Sequence, residues 1–333
     1  MVLSPPILAL LVCSAAACGL TISAAAAGLS AVIGWDHDSS RQRQLLRERR
    51  WFLVEASLRL ILALQLLSLL VFVATADHLK TLFTGAMCAV GSLNASPFGM
   101  PALAVKIAAF IVCGLWLVTD RASAAAASTG LVRFKAAFLV FLSCVLVADN
   151  VLQIRYFADL DPEIITSCCA TVFDPDAGGV AAGIAAFPVR SSKIAFFGGL
   201  VLTVAAGLWA IRRHGMTFVY SILAAALGLV TVAAVITWIA PSYYELPSHH
   251  CPLCLLAADH GYVGYPLYLF LAAAVIAGAG SGLVRALRSI DLQHCIRINE
   301  ERRLCVVSLV SFAAIAVIAV WPLVTSPFRL EGY

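Results

Sequence analysis

Charge is what this chain has least of. Only 12% of its 333 residues are Asp, Glu, Lys or Arg, against about 25% in a soluble domain. That excludes a water-soluble globule. Lysine is scarcer still, with 4 of the 22 basic residues, the other 18 being arginine. There is no phosphate-binding glycine loop and no hydrolase triad pattern. Leu255 stands where a c-type haem site would need histidine. The net charge of +4 makes no case for nucleic acid, because the positive residues lie in short loops between apolar segments.

What is there is apolar: 62% of residues are hydrophobic and the mean hydropathy is +0.96. A helix needs about 20 apolar residues to cross a bilayer. Eight stretches meet or approach that length: Ile7–Gly34, Phe52–Ala76, Pro101–Thr119, Ala136–Ile154, Ile194–Ile211, Thr217–Ala240, Leu267–Val284 and Leu304–Leu323. Pro101 and Pro266 fall at span entries, where a missing N–H costs nothing. The expected fold is an all-α, polytopic helix bundle forming one integral membrane domain over 1–333. Residues 1–6 carry no basic residue, unlike a secretory leader, so the first span reads as a retained helix.

Arginine and lysine set the expected orientation. Fifteen lie in or beside the loops 35–51, 120–135, 212–216 and 285–303, and five in the alternate loops and the tails. The richer set belongs on the cytoplasmic side, so both termini are expected outside. Abundant arginine, alanine and glycine suggest a GC-rich bacterial genome, and with it a bacterial inner (cytoplasmic) membrane. The outer loops are then 77–100, 155–193 and 241–266.

Those three loops hold five of the eleven cysteines: Cys88, the adjacent Cys168 and Cys169, and Cys251 and Cys254. Cys251-Pro-Leu-Cys254 is a CxxC that can close a disulfide or grip a metal. A proline in second place resembles the CPxC of thioredoxin-like oxidoreductases, but only locally, since their soluble βαβ unit is absent. Neighbouring Cα atoms lie about 3.8 Å apart, whereas relaxed disulfides want about 4.4–6.8 Å. Cys168 and Cys169 are therefore expected to pair elsewhere, with Cys88 or with the CxxC. His249 and His250 precede the CxxC and could lower a thiol's pKa or act as ligands. Met87 beside Cys88 adds a thioether, a donor suited to Cu(I). Five is odd, so inert staples alone leave one thiol over.

Lys106 and Asp149 lie inside spans, where lone charges are costly and pair or face a wet cavity. They are expected to face each other, as a structural ion pair or as a proton or quinone-headgroup site. Glu55 and Arg59 have i,i+4 spacing and are expected to pair. Gly278 and Gly282 form a GxxxG that predicts close helix contact. The run AGGVAAG in the loop 155–193 is expected to be flexible. Trp238, Tyr243, Tyr244, Tyr262, Tyr265 and Tyr268 read as an interfacial aromatic belt.

The leading functional expectation is a membrane thiol–disulfide oxidoreductase. Its redox-active cysteines Cys251, Cys254, Cys168, Cys169 and Cys88 would pass electrons between an outer-face thiol protein and a quinone. The arrangement is similar to that of the disulfide-bond oxidases of the DsbB family and of vitamin K epoxide reductase. These use paired thiols in outer loops of helical bundles, though none of their motifs aligns here. The alternative is a copper-type metal-binding protein, with His249, His250, Cys251, Cys254 and Met87 as ligands and a metalloprotein as partner. A membrane scaffold held by structural disulfides is the third reading.

Overall fold

In the computed structural model the described residues are 5–33, 42–123, 129–161, 163–166, 172–173, 178–213, 216–287 and 294–330. Among them there are helices and turns and no strand. Eight helices among the described residues are long and apolar enough to cross a membrane. The chain is a multi-pass membrane protein, surrounded by a lipid bilayer. Two compact units divide it.

Unit 1 comprises Met1–His78, Ala95–Pro162 and Ala286–Arg297. It contains α1 (Pro5–Ile33), most of α2 (Gln42–Leu79), α4 (Gly99–Ser123) and α5 (Thr129–Ala158). α5 packs against both α1 and α4. Pro101 falls in the first turn of α4, where its missing N–H has no intrahelical acceptor to serve. The core joins Leu58, Leu62, Cys113, Trp116, Leu139 and Leu142.

Two ionic clusters lie within this apolar unit. Lys106 Nζ stands 3.0 Å from Asp149 Oδ2, donates to Ser68 Oγ at 3.1 Å, and lies 5.4 Å from the centre of the Phe72 ring. Gln65 Nε2 also donates to Asp149 Oδ2, at 3.1 Å. Lys106 and Asp149 are 1% and 0% exposed, so each charge relies on the other for solvation. The second cluster redirects Glu55 and Arg59. Rather than closing on each other, Arg59 donates to Asp120 at 2.5 Å and Glu55 pairs with Lys135 at 2.6 Å. Asp120 and Lys135, themselves 2.6 Å apart, are buried and need partners. An exposed i,i+4 pair would contribute only a few tenths of a kcal/mol, and the buried charges win.

Unit 2 comprises Leu79–Asn94, Glu163–Arg285 and Ile298–Tyr333. Its helices are α3 (Ala89–Asn94), α6 (Val180–Ala185), α7 (Val189–Arg212), α8 (Thr217–Ala234), α9 (Ala240–Tyr244), α10 (Gly264–Ala286) and most of α11 (His294–Thr325). A π-helical turn, Val235–Ile239, joins α8 to α9. Where flexibility is expected in AGGVAAG, Val180–Ala185 forms a helical turn and a half. Gly179, at φ 103°, turns the chain into it, and the alanines favour helix. The GxxxG does bring helices together. A Cβ on Gly278 would stand 2.5 Å from the Ala224 Cβ of α8, and one on Gly282 would collide with Ser221.

Two prolines leave carbonyls without helical donors, and unit 2 supplies each from a side chain. Pro322 lies inside α11 and cannot donate to Ile318. The Tyr243 hydroxyl donates to that carbonyl at 2.8 Å. In the π-helical turn the Ala240 N–H reaches back to Val235, and Pro241, next in line, has no N–H to give Ile236. His250 Nδ1 meets the Ile236 carbonyl at 2.9 Å. A carbonyl only accepts, so Nδ1 carries the proton.

Replacing Lys106 by Met leaves Asp149 buried without its cation. We expect a loss of about 3–5 kcal/mol of stability, read as a lower unfolding midpoint in detergent. The double variant Lys106→Met, Asp149→Leu should recover most of it, because no lone charge then remains.

Candidate functional site

Two loops of unit 2 build the site. The first follows α2. It makes a 3-10 turn at Lys80–Leu82, runs extended at Phe83 and reaches Cys88 at the start of α3. Gly85, at φ +93°, lies so close to the Thr166 carbonyl that any Cβ would collide with it. The Thr166 N–H donates to the Thr84 carbonyl at 3.0 Å. The loop bearing Cys88 is thereby tied to the segment that ends at residue 166. Cys168 and Cys169 fall just beyond it, outside the described residues.

The second loop joins α9 to α10 and carries the CxxC. Cys251 takes an extended backbone and opens a 3-10 turn, Pro252–Leu256, with proline in its first position. Two tyrosines clamp this turn by its backbone. The Tyr244 hydroxyl donates to the Cys251 carbonyl at 2.7 Å, and the Tyr268 hydroxyl to the Pro252 carbonyl at 2.5 Å. Leu255 is fully buried beneath the turn. His250, held on Ile236, fixes the approach to Cys251.

The two loops bring three sulfurs together. Cys88 Sγ lies 3.6 Å from Cys251 Sγ. The Sγ atoms of Cys88, Cys251 and Cys254 all lie within 4.8 Å of one another. Cys88 and Cys251 are buried and Cys254 is half-buried. Val90, Phe173, Ala185 and Ile236 form apolar walls around them. No disulfide joins any two described cysteines.

Among the described residues, the remaining candidates do not belong to that three-sulfur group. Met87 is exposed. His249 presents its ring edge-on to Tyr244 at 4.9 Å, and His260 stacks obliquely on the same ring at 4.4 Å. Among the described residues, the group with ligand atoms close enough to share one metal is the three cysteines alone. Lys106 and Asp149 belong to unit 1, where the ammonium is directed at Asp149, Ser68 and Phe72.

Burial lowers the pKa of His249, with the nearby Cys88 thiol opposing the shift. Burial also lowers that of His260, opposed by Asp259 and reinforced by His249. Both imidazoles therefore favour the neutral form beside Tyr244.

Tyr244 and Tyr268 are the functional residues that composition hides. As members of an aromatic belt they look generic, and only the fold turns their hydroxyls onto the CxxC backbone. The proline at 241, inside an apolar run shortly before a CxxC, was the legible hint of an irregular helix there.

No family model, no curated protein and no solved structure matches this chain. The site has to be read from its own geometry.

His260 gives a pH prediction. Its folded pKa lies below the ordinary 6.5, so below that pH the unfolded segment binds more protons than the folded one. Stability of the loop 246–263 should be full above the ordinary value and fall as pH drops through it. Hydrogen exchange across this loop should show greater opening at about pH 5.5 than at about 7.5, after correction for intrinsic rates. His260→Gln should flatten that difference.

Proposed function

We propose that this chain is a membrane thiol–disulfide oxidoreductase, with Cys88, Cys251 and Cys254 as its exchange centre. The observation that carries this reading is the 3.6 Å separation of Cys88 Sγ from Cys251 Sγ beside a CxxC. Exchange requires a thiolate to attack one sulfur of a disulfide, through a mixed disulfide. A third sulfur in contact with one member of a CxxC is placed for that attack.

Exposure suggests an order. Cys254, the most accessible of the three, meets the dithiol of an outer-face partner protein. Starting from a Cys251–Cys254 disulfide, a partner thiolate attacks Cys254 and releases Cys251. The second partner thiol then attacks its own mixed-disulfide sulfur and releases Cys254. The partner leaves oxidised, and two electrons and two protons stay on the CxxC. Once a Cys88–Cys251 disulfide has formed on the inner side, attack by the Cys254 thiolate on Cys251 restores the Cys251–Cys254 disulfide and releases Cys88 as the thiolate. The disulfide thus moves outward by one sulfur while the electrons move inward, with no net redox change. Cys168 and Cys169 extend this relay in the proposal.

The electrons need an acceptor, and a membrane quinone is the class proposed. It takes up two electrons and two protons to become a quinol. Lys106 already has its ammonium engaged, so it is proposed as a structural ion pair and not as the headgroup donor. Placement in a bacterial cytoplasmic membrane, with these loops outside, rests on the distribution of arginine and on composition.

The test uses the full-length protein in detergent, with a small dithiol as reductant and a short-chain quinone as oxidant. The wild type should oxidise the dithiol in a quinone-dependent manner, and mass spectrometry should find Cys251 disulfide-linked to Cys254 or Cys88. Cys251→Ser should abolish quinone-dependent dithiol oxidation, because no Cys251–Cys254 disulfide can form. Full activity in the double variant Cys251→Ser, Cys254→Ser would sink the reading.

A further inference from the structure

The same three sulfurs carry a second chemistry that disulfide exchange does not require. We propose that, when all three are reduced, Cys88, Cys251 and Cys254 bind one soft monovalent cation of the Cu(I) class through sulfur alone.

Geometry is the first argument. Metal–thiolate bonds are about 2.3 Å, so three sulfurs in a plane around one ion lie about 4.0 Å apart. Here Cys88 and Cys251 are 3.6 Å apart and all three sulfurs lie within 4.8 Å of one another. Sulfur displacements of less than about 1 Å, reached by side-chain rotation, close the site.

Rigidity is the second. The three sulfurs come from two loops, and each loop is held by bonds that a metal does not have to form. Cys88 opens α3, where the Gly91 N–H donates to its carbonyl at 3.0 Å. Cys251 and Pro252 are fixed by Tyr244 and Tyr268, and the Ala257 N–H donates to the Cys254 carbonyl at 3.0 Å. Little ordering is left for an ion to impose.

The donor set is the third. Among the described residues the cluster contains no imidazole and no carboxylate. Pure sulfur donors select soft ions. Zn(II) would seek a fourth ligand, and among the described residues no further His, Cys, Asp or Glu ligand atom joins the group. Three sulfurs alone suit an ion that accepts three ligands. Each thiol that ligates as thiolate releases one proton, and the cation offsets part of the buried charge.

The metal and the disulfide exclude each other. Oxidising any two of these cysteines removes two ligands, and a bound ion withholds the thiolate that exchange needs. The inference shares its residues with the proposed exchange reaction but stands or falls separately.

The experiment titrates the reduced full-length protein anaerobically with Cu(I) against a chromogenic Cu(I) chelator, with Zn(II) in parallel. The wild type should withdraw one Cu(I) per chain. X-ray absorption should show sulfur scatterers alone, at about 2.3 Å. Cys88→Ser, Cys251→Ser and Cys254→Ser should each weaken binding by about 100-fold or more, beyond what loss of an outer-shell partner costs. Wild-type protein oxidised with diamide should lose the copper with its sequence unchanged, which separates ligand loss from misfolding. No copper withdrawn by the wild type, unchanged affinity in Cys88→Ser, or preference for Zn(II) would overturn the proposal. Copper binding lost while quinone-dependent dithiol oxidation persists overturns the metal site alone. The reverse pattern overturns exchange alone.

Discussion

A backbone carbonyl within a bilayer must find its donor inside the protein. Unit 2 breaks that rule twice with proline and repairs it twice with side chains. Tyr243 serves the carbonyl that Pro322 leaves open, and His250 serves the one that Pro241 leaves open. The second repair matters more, because His250 immediately precedes Cys251. The π-helical turn leaves a carbonyl that only a neighbouring loop can satisfy, and the loop that satisfies it carries the CxxC. π-Bulges recur at functional sites, and here the reason is visible: the defect in the span is the anchor for the loop.

Each unit concentrates its polar side chains differently. Unit 1 buries formal charges and neutralises them in place, Lys106 on Asp149, and Arg59 and Lys135 on Asp120. Unit 2 gathers sulfur at the ends of its spans, with hydrogen bonds directed at the backbone on either side. Tyr244 and Tyr268 hold carbonyls and leave the sulfurs themselves in apolar surroundings. Holding the turn by its backbone carbonyls suits the proposed exchange, in which the sulfurs change partners.

Much of this was legible in the chain. Eight apolar runs announce eight helices, because span length is set by the bilayer and little else. The pairing of Lys106 with Asp149 follows from the cost of a lone buried charge, whatever the loops do. The GxxxG of α10 likewise admits few neighbours, and α8 fills the gap. The failures share a cause. Glu55 and Arg59 satisfy a local rule, but Asp120 and Lys135, distant in sequence, need those charges more. AGGVAAG looks loose, yet Ala182 and Ala185 find a surface to bury against. His249 and His250 look like ligands by spacing, whereas one meets Tyr244 edge-on and the other serves a helix carbonyl. Local pattern loses wherever a tertiary partner has more to gain.

The walls of the sulfur cluster bear on both chemistries. Thiols and disulfides are neutral, so Val90, Phe173, Ala185 and Ile236 accept either without penalty. A thiolate is not neutral and is costly there. Something must offset its charge whenever one forms. In the proposed disulfide exchange the thiolate is brief: attack on a neighbouring sulfur passes the charge to the leaving thiolate, which a proton then neutralises. In metal binding the cation supplies the offset and makes the charged form persist. On both proposals the apolar walls keep the cluster in its neutral forms until a partner thiol or a soft cation arrives, and neutrality is what lets three sulfurs share one small space.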